Sequence, residues 1–230
     1  QQQRTAIARA LVKRAQLVLL DEPLANLDYK LREELREELP RIFAETGTIL
    51  VYATTEPTEA LLLRGRTACL SEGRVTQFGP TASLYRSPDT IDAARVFSDP
   101  PINELAIVKQ GDRLALPDGR QIPATGDLAG LPDGPLRLAF RVEHALLGAA
   151  MADGLRFPGT VIATQLSGSE SFVHIDVGGA NWVCLVRGVH EWEPGVPAEV
   201  MIDPEGLFVF SPDGSRVSRA ATSARLSVPA

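Results

Sequence analysis

Residues 17–20 (LVLL) form an uninterrupted apolar run that stops at Asp21-Glu22-Pro23. The run is too short for a helix and has no polar alternation. It therefore reads as a strand buried on both faces, the kind found in parallel sheets with helices on each side. Pro23 cannot donate to a ladder and turns the chain away. A parallel partner needs a crossover, and the next residues supply one. Asp28 suits a helix N-cap, and Leu31, Leu35, Leu39, Ile42 and Phe43 recur at helical intervals behind it. Pro40 is expected to kink or shorten that helix and Gly47 to end it, with residues 48–53 (TILVYA) as the next buried strand. The order strand, helix, strand specifies an α/β layer with a parallel sheet.

The same pattern extends to either side. In residues 3–14, Ile7, Ala8, Leu11 and Val12 fall at helical spacing, with Arg4, Arg9, Lys13 and Arg14 on other faces. Pro57 opens a short helix with Glu56 at its cap and Glu59 three residues on, the arrangement of a capping box. Residues 67–71 and 74–78 around Glu72-Gly73 read as a hairpin, followed by short helices over 81–86 and 90–97. The pattern changes at Asp99-Pro100-Pro101. Beyond it, short alternating runs are separated by turn pairs such as Asp118-Gly119, Asp133-Gly134, Gly178-Gly179 and Asp213-Gly214, the mark of a small all-β barrel or sandwich. From Ser218 the chain is rich in Ser and Ala without periodicity and is expected to be disordered. The expected domains are 1–98, 99–217 and a tail over 218–230.

The composition is that of an ordinary globular protein, 44% apolar and 23% charged. A net charge of -6 argues against a nucleic-acid surface, which needs clustered Lys and Arg. No apolar run approaches the roughly 20 residues that a membrane helix requires. Cys69 and Cys184 each lie in an apolar strand pattern and read as inert buried thiols of a reducing compartment. His144, His174 and His190 stand apart from other ligand-type residues, so no metal site is expected at them. Trp182 and Trp192 read as core or rim residues. Glu33, Glu34, Glu37 and Glu38, interleaved with Arg32, Arg36 and Arg41, read as a solvated helix face with some paired charges. The chain begins Gln1-Gln2-Gln3-Arg4 without Met or a secretory signal, and is expected to start inside a helix of a longer protein.

The residues that promise chemistry are Asp21 and Glu22. Ligands bind at the carboxyl ends of parallel strands, where both carboxylates would stand. The first suits Mg²⁺, directly or through water, because hard cations take oxygen ligands. The second can orient and polarise an attacking water. The plain alternative is that the pair only ends a strand and begins a turn.

With Pro23, Leu27-Asp28 and an amphipathic helix behind the pair, residues 17–28 (LVLLDEPLANLD) resemble the hydrolysis strand of the ATP-binding-cassette (ABC) family. Gln1-Gln2-Gln3-Arg4 and Ala8-Arg9-Ala10-Leu11 are similar to the helix that follows that family's signature loop. Glu72-Gly73-Arg74-Val75, Gln77-Phe78-Gly79 and Leu84-Tyr85-Arg86-Ser87-Pro88 resemble the end of the cassette in sugar importers of the maltose type. Pro100-Pro101-Ile102-Asn103-Glu104 resembles their passage into a C-terminal regulatory (TOBE, OB-like) barrel. Phe140-Arg141-Val142-Glu143-His144, with Val142 for the usual Pro, and Gly168-Ser169-Glu170-Ser171 resemble segments of that barrel. The resemblance covers nearly the whole chain and is strongest over 1–104.

It implies ATP and Mg²⁺ as cofactors, with Asp21 on the metal, Glu22 catalytic, and Asp28, Gln1 and Arg4 at the nucleotide. It also implies a second ATPase subunit, two transmembrane permease subunits and, indirectly, a periplasmic solute-binding protein as partners, with no nucleic acid. The expected place is peripheral, on the cytoplasmic face of the inner membrane, and the expected solutes are sugars, polyols or glycerol-type compounds.

Two departures accompany the likeness. The family's stretch after the next strand carries a switch histidine, and this chain reads Thr54-Thr55-Glu56-Pro57-Thr58-Glu59-Ala60, so Thr55 stands at the histidine position. A Thr hydroxyl is shorter than an imidazole, carries no positive charge and offers one donor. Loss of that donor is expected to slow hydrolysis by about 10²-fold, as for other single preorganised donors, unless a neighbouring group or water compensates. The expectation is an impaired site paired with a different cassette subunit. Second, nothing in the chain matches G-x-x-x-x-G-K-[ST] or the Leu-Ser-Gly-Gly signature. These 230 residues are therefore expected to bind ATP poorly, not to hydrolyse it, and to associate through exposed sheet edges. Two other readings stay open: a cassette ATPase acting on DNA or ribosomes, and a regulatory or binding module seated in the β-rich part.

Overall fold

The structure, a computed structural model, describes residues 5, 7–9, 12, 13, 15–148 and 154–217, and the chain divides into two compact units, Gln1–Ser87 and Pro88–Ala230. Gln1, Arg4 and the tail over 218–230 lie outside the described residues. Of the N-terminal stretch, Thr5, Ile7, Ala8, Arg9 and Val12 are helical.

In the first unit, β1 (Leu17–Asp21) runs parallel to β2 (Ile49–Ala53), with Leu17 opposite Ile49 and Asp21 opposite Ala53. The crossover is α1 (Tyr29–Thr46), which begins where the Asp28 carboxylate accepts the Leu31 N–H at 3.0 Å and ends at Gly47 in the left-handed region, φ 63°. Pro40 does not shorten it. The helix continues six residues past the proline, because losing one N–H bond is offset by the buried stripe that Leu39 and Phe43 extend on either side of it. That stripe packs on Val18, with Leu20, Leu24, Leu35, Leu50 and Tyr52 completing the core.

The expectation that both strands are buried on two faces is corrected. Val18 faces the α1 side and is buried, whereas Leu17, Leu19, Ile49 and Val51 are 50%, 69%, 64% and 52% exposed. The register sets Leu17 beside Ile49 and Leu19 beside Val51, so the opposite face of the pair is a continuous apolar surface. The sequence shows that both faces are apolar, but covering the second takes elements beyond those that pack here.

Next come α2 (Pro57–Leu63), the hairpin β3 (Arg66–Ser71) and β4 (Arg74–Pro80), and α3 (Thr81–Arg86). The hairpin turns at Glu72 and Gly73, φ 48° and 74°, the two positive values that a tight right-twisted hairpin needs. The capping-box reading of α2 is also corrected. Glu56 makes no side-chain cap, and Glu59 is turned inward at 4% exposure.

The second unit opens with α4 (Ile91–Val96), capped by the Thr90 hydroxyl on the Ala93 N–H, and tied by the Ile91 N–H to the Gly214 carbonyl at 2.9 Å. Among the described residues ten strands follow, all paired antiparallel. The first sheet contains β5 (Asn103–Gln110), β6 (Arg113–Ala115), β7 (Gln121–Pro123), β8 (Gly134–Phe140) and a late strand over Phe208–Phe210, in the order Phe208–Phe210, β8, β5, β6, β7. The second contains β9 (Ala145–Leu147), β10 (Leu155–Leu166), β11 (Glu170–Val177), β12 (Ala180–Arg187) and β13 (Pro197–Ile202), in the order β12, β11, β10, β13, β9. The last strand, Phe208–Phe210, is β14. The end strands β12 and β9 of the second sheet approach one another, curling it towards a barrel.

A large core fills this unit, with a smaller cluster of Ile91, Ala94, Ile102, Ala139, Phe208 and Phe210 beside α4. Trp182 is fully buried, edge-on to Phe140 at 4.7 Å and to Phe157 at 5.1 Å between centroids, and donates its indole N–H to the Glu104 carbonyl at 2.9 Å. Asn103, 2% exposed, stitches the start of β5 to β12: its amide donates to the Val183 carbonyl at 2.9 Å and accepts the Val183 N–H at 2.7 Å. Trp192 is half-buried against the same core. Cys69 and Cys184 are buried and free in their separate units.

Candidate functional site

The carboxyl ends of β1 and β2 carry the candidate chemistry. Asp21 is the last residue of β1, exposed, level with Ala53 in the ladder. Glu22 follows with φ 44°, a value that costs a non-glycine residue about 1–2 kcal/mol, and its N–H donates to the Ala53 carbonyl at 3.0 Å. Pro23 and Leu24 then plunge into the core while Ala25 N–H returns to the Glu22 carbonyl, 3.3 Å. The sharp turn keeps Asp21 and Glu22 at the open sheet edge. Neither carboxylate accepts a hydrogen bond among the described residues.

Asp28 is held at the start of α1 by its cap bond, which uses one of its oxygens. Thr55 lies just past β2, exposed, next to the strand end that anchors Glu22. The structure thus brings Asp21, Glu22 and Thr55 to one sheet edge and places Asp28 a turn of chain away, at the head of α1.

Beneath this edge lies a group that the sequence reading missed. Glu59 accepts the Tyr52 hydroxyl at 2.9 Å and the Thr54 hydroxyl at 2.6 Å on one oxygen, and its other oxygen stands 3.9 Å from an Arg36 guanidinium nitrogen. Arg36 also donates to Glu33 at 2.8 Å with its side chain only 15% exposed, so it is no part of a solvated face. Burial first, then the Glu59 hydrogen bond and the charges of Glu59 and Glu22, hold the Tyr52 phenol proton far above its usual range, so Tyr52 remains a donor. Leu24, Leu39 and Leu63 close the space around this network, leaving a gap of about 10 Å³. The available signal was Tyr52 and Thr54 on one strand face; the capping-box pattern masked it.

The second unit holds an open groove of about 310 Å³ lined by Glu104, Ala106, Pro117, Arg137, Gly178 and Gly179. Its charges are already matched: Arg95 grips Glu104 with two bonds, 2.7 and 2.9 Å, and Arg137 reaches the same carboxylate at 3.5 Å. His144 pairs with Asp203 at 3.6 Å, and a side chain at Gly206 would collide with its ring. Among the described residues, no helix is long and apolar enough to cross a membrane.

Residues 138–210 match the family model of the TOBE domain. Over nearly its full length the chain is similar to ATP-binding subunits of ABC importers. It is 32% identical over 226 residues to the sn-glycerol-3-phosphate import ATP-binding protein UgpC of Chromobacterium violaceum, covering 97% of this chain and 60% of that one. It is 36% identical over 217 residues to the xylose/arabinose import ATP-binding protein XacK of Haloferax volcanii, covering 91% and 56%. It is 31% identical over 225 residues to the trehalose/maltose import ATP-binding protein MalK of Thermococcus litoralis, covering 91% and 59%. The chain therefore spans no more than about three-fifths of the length of these relatives. The molybdate-bound structure of the cytoplasmic molybdate-binding protein ModG overlaps 48% of this chain and 96% of its own at 17% identity and TM-score 0.37, a likeness too distant to support an argument.

Proposed function

We propose that this chain is the C-terminal part of the ATP-hydrolysing subunit of an ABC importer for sugars, polyols or glycerol-type solutes. The observation that carries the reading is the parallel pair β1–β2 with Asp21 and Glu22 unpartnered at its carboxyl edge, in a chain whose relatives are import ATP-binding proteins. In this reading residues 1–98 are the end of the cassette, 99–217 a regulatory barrel and 218–230 a tail. The open apolar face of β1–β2 supports a larger sheet layer: parallel strands are stable when covered on both sides, and the four exposed side chains ask for such cover.

The chain's own residues divide the work. Asp21, an exposed carboxylate with no competing bond, fits a hard divalent cation, and Mg²⁺ bound there would neutralise charge on the transferred phosphoryl group. Glu22 orients the attacking water and draws off its proton. Asp28, Gln1 and Arg4 flank the nucleotide. The phosphate-cradling motif, absent from these 230 residues, is supplied by another segment, so nucleotide binding requires the longer protein. Thr55, with one short donor where the family has an imidazole, leaves this site impaired, and a different cassette subunit provides the competent one. The two transmembrane subunits, the solute-binding protein and a peripheral place on the cytoplasmic face follow from the same reading.

The test is ATP turnover and transport by the longer protein assembled with its membrane subunits. Asp21→Asn and Glu22→Gln are expected to remove the hydrolysis this subunit contributes; unchanged turnover in both refutes the assignment. If Glu22→Gln abolishes transport as fully as the equivalent change in the partner subunit, the impaired-site part fails.

A further inference from the structure

Immediately past β1, Glu22 sits at positive φ, and the bond that ties it to β2 is its N–H to the Ala53 carbonyl. Ala53 ends β2, and strand alternation turns Tyr52 and Thr54 to the inner face while Ala53 and Thr55 face out. Both inner residues are held by the same buried carboxylate oxygen of Glu59, at 2.9 and 2.6 Å. The Thr54 hydroxyl in turn accepts the Glu56 N–H at 3.0 Å, so Thr55 is clamped between two residues of one hydrogen-bonded loop. Arg36 on α1 stands behind the other oxygen at 3.9 Å.

We propose that Glu59 is the positioning residue of the Asp21–Glu22 edge: from beneath the sheet it locks the end of β2 to α1 and α2, and so fixes the carbonyl that holds Glu22 and the backbone that presents Thr55. The inference rests on the reading of Glu22 as the group that orients water. A buried carboxylate costs the fold unless it is fully bonded, and this one is placed where its bonds set the geometry of an otherwise exposed strand end. A merely stabilising contact could lie anywhere along β2. This one grips the residues on both sides of the Glu22 anchor.

The test uses Glu59→Gln, which keeps size and one acceptor oxygen but removes the charge, with Glu56→Gln as control. In the 230-residue chain, amide hydrogen exchange is read at Glu22 and Glu56 and normalised to the amides of α1. Weakening of the two charge-assisted bonds is expected to speed exchange at both by at least about 10-fold while α1 is unchanged. In the longer protein, kcat is expected to fall by up to about 10²-fold with the KM for ATP unaltered, as for a small misplacement of a reacting group. Unchanged exchange at Glu22, equal acceleration throughout the first unit, or an unaltered kcat each overturns the proposal. If the unsubstituted longer protein, assembled with its partner and membrane subunits, shows no ATP turnover, the proposed function falls, and the exchange measurement still decides whether Glu59 sets the strand end.

Discussion

Removing the Asn103 side chain is the sharpest test of how the second unit is held together. Asn103 is 2% exposed and acts as a short piece of strand, offering the Val183 backbone both a donor at 2.9 Å and an acceptor at 2.7 Å. Asn103→Ala deletes both bonds and leaves the Val183 N–H and carbonyl in a place that water reaches poorly. At about 1–2 kcal/mol for each bond lost with its partner left behind, the cost is about 2–4 kcal/mol. Both tryptophans, Trp182 and Trp192, lie in this unit, so urea unfolding followed by selectively excited tryptophan fluorescence reports it apart from the first, whose fluorophores are tyrosines. With a slope of about 2 kcal/mol per molar urea, the midpoint should fall by about 1–2 M. Asn103→Leu separates the causes: it refills the volume without the bonds, so it should stay within about 1 kcal/mol of the Ala variant. A midpoint within about 0.2 M of wild type for Asn103→Ala, or full recovery with Leu, would refute the reasoning and leave packing as the sole role of this side chain.

Three further outcomes are expected. Gly159→Ala should destabilise the same unit by about 1–3 kcal/mol in the same assay, because its Cβ would sit 2.6 Å from the Asp176 carbonyl oxygen and from an Ile175 methyl. Cys184, its thiol pushed up to about 12 by burial, and Cys69, raised by burial, should resist a disulfide reagent at pH 8 in the folded chain, and both should react in denaturant; rapid native labelling of Cys184 would show that its strand opens. The Lys109 ammonium and the Gly111 N–H hold Asp133 below the usual carboxylate range. Its contribution is therefore complete above the unfolded carboxylate's pKa of about 4 and is lost as pH falls through the lower folded value, so Asp133→Asn should flatten the acid end of the stability–pH curve below about pH 4 and leave its neutral part parallel to wild type.

The first unit shows how much of a site can be read from a one-dimensional pattern. The run LVLL ended by Asp-Glu-Pro named a strand end and a sharp turn, and the Asp28 cap and Gly47 stop bounded α1 as local chemistry requires. Those are short-range facts, set by side-chain bonds to the nearest backbone and by which residues tolerate positive φ. Glu59 was misread for the same reason. A Glu three residues after a helix start satisfies a local rule, and nothing in the local sequence says that Tyr52, Thr54 and Arg36 converge on it from two other elements.

By itself, the sequence determined the strand–helix–strand order of the first unit, the turn-separated β pattern of the later part, and the pair of carboxylates at a strand's end. Tertiary structure decided which charges are spent on each other, which apolar face of β1–β2 stands uncovered, and that a buried carboxylate underlies the strand end. The division has a physical cause. Periodicity and capping are properties of neighbours along the chain, whereas desolvation and charge pairing depend on groups that only folding brings within a few ångströms.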